Sequence, residues 1–157
     1  MTMPATYSTN RLRSHCERRL VDFDPDSAAD VLAVLDPAGS LNLLPIVLFR
    51  RFLAGFTPTV GVGGITAFQI VAAPASDTAV GACTLVVSHA LGSNPDAVKD
   101  HVWLECDADQ IHEVLPTATH VGVLLNLVTD TDEGKVYFER ADPLRGPEAG
   151  LTADYIS

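Results

Sequence analysis

The residues of this chain whose types invite chemistry are four of its five histidines, three cysteines, a carboxylate run beside a glycine, and a group of arginines near the start. His89, His101, His112 and His120 lack the i, i+4 and His-x-His spacings that set two metal ligands side by side on one helix or strand. Asp130, Asp132, Glu133 and Gly134 suggest a calcium loop, because hard cations want clustered oxygen ligands around a tight turn. The register refuses it. With Gly134 in the sixth position, the first and third fall on Thr129 and Thr131, and the twelfth on Arg140, where a bidentate glutamate is needed. Cys16, Cys83 and Cys106 are odd in number and form no Cys-x-x-Cys pair, so no disulfide framework is expected. Cys83 and Cys106 fall in strand-like runs, where a free cysteine behaves as a small buried hydrophobe. Gly61-Val62-Gly63-Gly64 lacks the spacing of a dinucleotide fingerprint and the ending of a phosphate-binding loop, and reads as a hinge. Asp100, Glu105, Asp107, Asp109 and Glu113 read as a solvated edge. No catalytic residue, metal or cofactor is assigned.

The arginines are the exception to these bland readings. Arg11, Arg13, Arg18 and Arg19 lie in a stretch of Ser, Thr and Asn that has too few apolar residues to fold on itself. The net charge of −10 is uneven: residues 1–51 hold six basic and six acidic side chains, and residues 52–157 hold four and fourteen. The acidic body repels a phosphate backbone, so direct nucleic-acid binding by it is excluded. Arginine pairs well with carboxylates, so an arm from one copy is attracted to the body of another.

Three segments must position these groups. Residues 1–23 read as a basic arm with one turn of helix near Cys16. Residues 24–56 read as helical. Asp24 caps and Pro25 starts a helix over 25–36, built from Ala28, Ala29, Val31, Leu32, Val34 and Leu35. Ser40 caps a second helix that runs to Gly55, with Pro45 in its first turns. That helix carries Leu48, Phe49, Phe52 and Leu53 among apolar side chains on most of its circumference, so deep burial or a partner must cover it. Residues 57–157 form a β-rich body, with runs at Thr66 to Ala73, Ala79 to Ser88, His101 to Cys106, His120 to Thr129 and Lys135 to Ala141. The last two runs read as a β-hairpin with Gly134 at a positive φ. Between them and the third run, Asp107 and Gln110 have capping-box spacing ahead of Ile111, Val114 and Leu115. The expected class is α+β and mainly β: an arm and two helices, then an antiparallel β-sandwich or barrel in a single domain. Leu41 to Phe56 is too short, and too broken by Pro45, Arg50 and Arg51, to span a bilayer. Arg18-Arg19 is followed by Asp22, Asp24 and Asp26 where an export signal needs an apolar run, so no signal peptide is expected.

The segment Val102-Trp103-Leu104, Asp107-Ala108-Asp109-Gln110-Ile111, Leu115-Pro116, Val121 to Val128, an Asp/Gly turn and a strand ending near Arg145-Gly146 resembles structural proteins of tailed bacteriophages. Ala72-Ala73-Pro74-Ala75-Ser76 and Ser93-Asn94-Pro95-Asp96 resemble small β-sandwich proteins that coat capsids or form baseplates. The resemblance covers the last two thirds of the chain. It implies a non-enzymatic cement, decoration or tail-associated subunit, located in the virion or in host cytoplasm during assembly. Its implied partners are other protein subunits: copies of itself, a trimer first, and a capsid or tail protein. The expected contact residues are Arg11, Arg13, Arg18, Arg19, Leu48, Phe49, Phe52 and Leu53. On this reading, deleting residues 1 to 20 weakens assembly without unfolding the body. A second reading is an enzyme or binding protein with a small-molecule cavity lined by His101, Trp103, His120 and Tyr137. A third is an acidic accessory protein for a basic partner.

Overall fold

The computed structural model describes residues 16–26, 29–47, 49–60, 65–91, 101–129 and 131–143. Among them nine strands run in chain order: β1 Cys16–Phe23, β2 Ala29–Leu32, β3 Leu43–Pro45, β4 Phe49–Pro58, β5 Ala67–Ala73, β6 Thr84–Ala90, β7 Val102–Asp107, β8 His120–Val128 and β9 Gly134–Pro143. A 3-10 turn at Val80–Ala82 precedes β6, and one helix, α1 Ala108–Val114, follows β7. All ladders are antiparallel and make two sheets: sheet A in the order β1-β9-β4-β7, and sheet B in the order β2-β8-β5-β6, with β3 also on β8. Strands β2 and β3 follow one another along the same edge of β8, so they act as one interrupted strand. With them merged, the described residues make two facing four-stranded sheets. The first and last of these strands are neighbours in sheet A, and this strand order is that of a jelly roll.

Alternation builds the core. From sheet A, Phe52, Ala54 and Phe56, Val102, Leu104 and Cys106, and Val136 and Phe138 point inward; from sheet B they meet Phe68, Ile70 and Ala72 with Val121, Val123 and Leu125. Phe56 joins the layers, stacked on Phe68 at 5.9 Å and edge-on to Phe23 at 6.0 Å. Sheet B also buries its outer side. Leu32, Leu43, Val71, Ala73 and Leu124 form a second cluster there, with Cys83 packed against it.

The two helices expected over 25–36 and 40–55 are absent, and β2, β3 and β4 stand in their place. The apolar spacing that suggested a helix comes from burial on both faces of a strand. Leu43 enters the outer cluster of sheet B and its neighbour Leu44 enters the core between the sheets. The chain therefore covers most of the excess apolar surface of this segment itself. Ser40, expected as a helix cap, sits at φ 53° in the turn closed by the Asp36–Leu41 bridge. The turn of helix near Cys16 is also strand: β1 pairs with β9 along its whole length.

The hairpin is corrected as well. Both strands form, but β8 lies in sheet B and β9 in sheet A, so the turn between them crosses the sandwich. Asp132 is 1% exposed and holds this crossing, its Oδ2 accepting the Thr129 N–H at 2.7 Å. Gly134 is needed for close approach rather than for a positive φ. A Cβ there would lie 2.5 Å from the Phe56 ring and 2.8 Å from the Thr57 carbonyl oxygen. The capping box at α1 forms as read, with the Gln110 N–H donating to Asp107 at 2.7 Å and the Asp107 N–H donating to Gln110 at 2.9 Å. Of its apolar residues, Ile111 is buried and Leu115 packs on the core, whereas Val114 is 45% exposed.

Candidate functional site: the outer face of sheet A

Residues of sheet A that do not point into the core share one face, and the register arranges them in rows across the four strands. One row is Leu20, Tyr137, Gly55 and Trp103. The row beside it is Arg18, Glu139, Leu53 and Glu105. On the other side Asp22, Lys135 and Thr57 form a row, closed by His101, whose Nδ1 lies 2.7 Å from Thr57 Oγ1. Beyond the Arg18 row lie Ala141, Arg51 and Asp107.

The central row is apolar and open. Leu20 is 68% exposed and Trp103 is 55% exposed. Gly55 is what lets the indole lie across the sheet, since a Cβ there would stand 2.5 Å from the Trp103 six-membered ring. The indole reaches Tyr137, with ring centroids 5.5 Å apart in an edge-on arrangement, and Tyr137 in turn donates its hydroxyl hydrogen to Glu139. Two aromatic rings fixed in this way carry apolar surface at low ordering cost.

Charges flank the row in pairs closed within the chain: Arg18 Nε donates to Glu139 at 2.9 Å, Arg51 pairs with Glu105, and Lys135 pairs with Asp22. Exposed pairs of this kind add little stability. They do mean that covering the face strands few charges without a partner. Arg51, Leu53, Glu105, Glu139 and Ala141 line a shallow depression beside the aromatic row.

Sheets A and B differ here. The outer apolar side chains of sheet B are mostly buried by their own chain, whereas among the described residues nothing covers Leu20 and Trp103 to the same extent.

The residues singled out from the sequence divide accordingly. Arg18 and Leu53, expected at a subunit contact, lie on this face. Arg19 points the other way, to Glu17 and Asp36. Phe52 is 0% exposed, so its ring serves the chain's own core instead of a contact with another subunit. Phe49 packs under the Arg140 guanidinium, 4.7 Å from its ring centroid. Arg11, Arg13 and Leu48 lie outside the described residues, as do the Gly61-Val62-Gly63-Gly64 run, Asp100 and Asp130. Of the four residues expected to line a cavity, Trp103, Tyr137 and His101 come together on the open face, while His120 belongs to sheet B. Leu20 and Gly55, which complete the row, escaped the sequence reading. The signal for Leu20 was its period-2 phase with Arg18 and Asp22, hidden by reading residues 1–23 as a basic arm with a turn of helix near Cys16.

Two further groups bear on chemistry. Burial pushes the Cys106 thiol up to about 12, and the Asp107 and Glu105 carboxylates add to this. At neutral pH it is a protonated core residue without nucleophilic character. A maleimide is therefore expected to leave Cys106 unmodified in the folded protein and to reach it on denaturation, as read by mass spectrometry of the Cys106 peptide.

At the end of the sandwich, Glu17 accepts from Arg19 and from the largely buried Arg140, which also donates to the Pro45 carbonyl at 2.6 Å. Burial raises the Glu17 carboxyl, but hydrogen bonds and charge from Arg19 and Arg140 outweigh it and hold the group below its ordinary 4.5. A carboxyl depressed on folding contributes stability that is full above its unfolded value and is lost as pH falls through the folded one. Acid unfolding should therefore draw on Glu17 below about pH 4.5. Glu17→Gln should flatten that limb of a plot of melting temperature against pH.

No metal-binding group of three or more His, Cys, Asp or Glu occurs among the described residues. Among them, no helix is long and apolar enough to cross a membrane.

No protein-family model matches the chain, and no curated protein matches it. Solved structures do. One is the acid-stable capsid of Helicobacter pylori bacteriophage KHP30, at 12% identity and TM-score 0.45, covering 82% of this chain and 89% of that one. Another is the SPBc2 prophage-derived protein YomS, at 10% identity and TM-score 0.39, covering 81% and 95%. A third is the K1 adhesin domain of Lys-gingipain from Porphyromonas gingivalis, at 10% identity and TM-score 0.40, covering 64% of this chain and 60% of that one. The jelly-roll assignment rests on the strand order and not on these likenesses.

Proposed function

We propose that this protein is a non-enzymatic structural subunit, of the cement, decoration or tail-associated kind, which works by adhering to other protein subunits through the outer face of sheet A. The observation that carries the reading is the open row Leu20, Tyr137 and Trp103, flanked by charge pairs closed within the chain. An apolar centre inside a polar margin is the layout of a protein contact. Covering a buried-to-be side chain such as Trp103 or Leu20 contributes on the order of 1.5 to 3 kcal/mol before ordering costs. Arg18 and Leu53 belong to the margin of this contact; Arg11 and Arg13, which the same reading assigns to binding, lie outside the described residues. In this reading the protein resides in the virion, or in host cytoplasm during assembly.

The test is light scattering of the full chain, alone and mixed with shell or tail proteins encoded beside it, at low and high salt. Complex formation that Trp103→Ala abolishes is the expected result. A full chain that stays monomeric and meets none of these proteins would sink the reading.

A further inference from the structure

Resting on that reading, we infer that the partner at this face is a second copy of the chain. The two sheets A stack face to face about a twofold axis parallel to the strands, so that Leu20 of each copy covers Trp103 of the other. Charge permits the pairing. It carries Arg18, Arg51 and Lys135 against Asp22, Glu105, Glu139 and Asp107, a sum of −1 from three positive and four negative groups. The whole chain carries −10, so the rest holds −9. Two copies can therefore meet through sheet A with little like-charge repulsion; the strands of sheet B, which carry only Asp30, are as weakly charged, and what sets sheet A apart is its open row of Leu20 and Trp103.

The order of residues along the rows selects the axis. β1 and β7 are the two edges of the sheet. A twofold axis along the strands lays β1 of one copy over β7 of the other and keeps each row in place. Arg18 then faces Glu105, Leu20 faces Trp103, and Asp22 comes beside His101. In these three rows every edge contact is apolar on apolar or joins a cation or imidazole to a carboxylate; in the fourth, Cys16 of β1 comes over Asp107 of β7. Size matches too: the smaller Leu20 edge meets the bulkier Trp103 edge. An axis across the strands instead sets Trp103 on Trp103 and leaves Leu20 on Leu20.

From strand spacing and rise, four strands and four rows offer roughly 500 Å² per copy, or about 1,000 Å² in total, the lower bound for a specific interface. The pair is accordingly weak on its own and gains strength where many copies are held together.

Sedimentation velocity of the full chain across the micromolar range tests the pairing, with cysteine cross-linking to fix the axis. The expected result is a concentration-dependent dimer, weakened at least about tenfold by Trp103→Ala and by Leu20→Asp. Circular dichroism of each variant should match the parent, because both side chains lie outside the core. An equimolar mixture of Leu20→Cys and Trp103→Cys chains should then form a disulfide-linked pair under mild oxidation. Neither variant alone should exceed the unsubstituted chain, since two Leu20 positions lie about three strand spacings, or 14 Å, apart. Self-linking of Leu20→Cys without the mixed product overturns the axis. A chain that stays monomeric throughout, yet binds a shell or tail protein in a Trp103-dependent way, overturns the second copy while the adhesive function stands. If Trp103→Ala alters neither self-association nor partner binding, both fail.

Discussion

Phe56→Ala is expected to destabilise the protein by about 3–5 kcal/mol, the range for removing a fully buried ring from a packed core. The position argues for the upper part of that range. Phe56 is 1% exposed, stacks on Phe68 of the opposite sheet, and meets Phe23 edge-on. Truncation would remove the ring that ties β1, β4 and β5 together. Relaxation cannot fill the space easily, because Phe56 and both of its ring neighbours sit on strands fixed by ladders on at least one side. For a chain of this size each kcal/mol moves the melting temperature by roughly 2–4 °C, so a fall of about 6–20 °C is expected by calorimetry. A shift of only a degree or two would mean that the two sheets do not share Phe56 as described.

The five runs from Thr66 onward became β5 to β9, because alternation is a local property and survives any pairing. The capping box at Asp107 and Gln110 was equally readable, since both partners lie within one turn. Pairing was not readable. Leu125 to Thr129 and Lys135 to Glu139 look like hairpin arms, yet they lie in opposite sheets, with Asp132 buried in the crossing between them. Nothing in a five-residue turn announces which sheet the next strand joins.

Residues 25–55 misled for a different reason. A strand buried on both sides loses its polar alternation, and Leu43 with Leu44 then imitates one side of a helix. The open face was half visible. Trp103, Tyr137 and His101 drew notice as polar-tipped aromatics, and Arg18 and Leu53 as contact residues. That they share one surface follows only from the register of four strands distant in sequence. Gly55 read as a helix stop, and its role became clear only with the indole lying over it.

Removing the N-terminal segment should have an effect that depends sharply on where the cut falls. With residues 1–23 read as a basic arm outside the body, a deletion ending at residue 20 is expected to spare the fold. Cys16–Phe23 is instead β1, the edge strand of sheet A, and its Val21 and Phe23 belong to the core. A deletion of residues 1–20 takes Glu17 away from Arg140, whose side chain is 10% exposed and whose Nε has no acceptor among the described residues. A guanidinium left without its carboxylate costs about 3–5 kcal/mol where the pair is fully buried, and less here because Glu17 is 30% exposed. The same cut removes the pairing of Cys16 to Leu20 with β9 and opens an unpaired strand edge, which favours aggregation. A deletion of residues 1–15 leaves every described residue in place. It is expected to hold the melting temperature within a degree or two and to lose only what Arg11 and Arg13 add to binding. Thermal melts of the two truncations, read beside a Glu17→Gln full-length chain, separate the contributions. The cut at 20 should fall well below Glu17→Gln, and Glu17→Gln below the cut at 15. If both truncations melt together, β1 is not part of the stable sandwich, and the row that begins at Leu20 loses its first member.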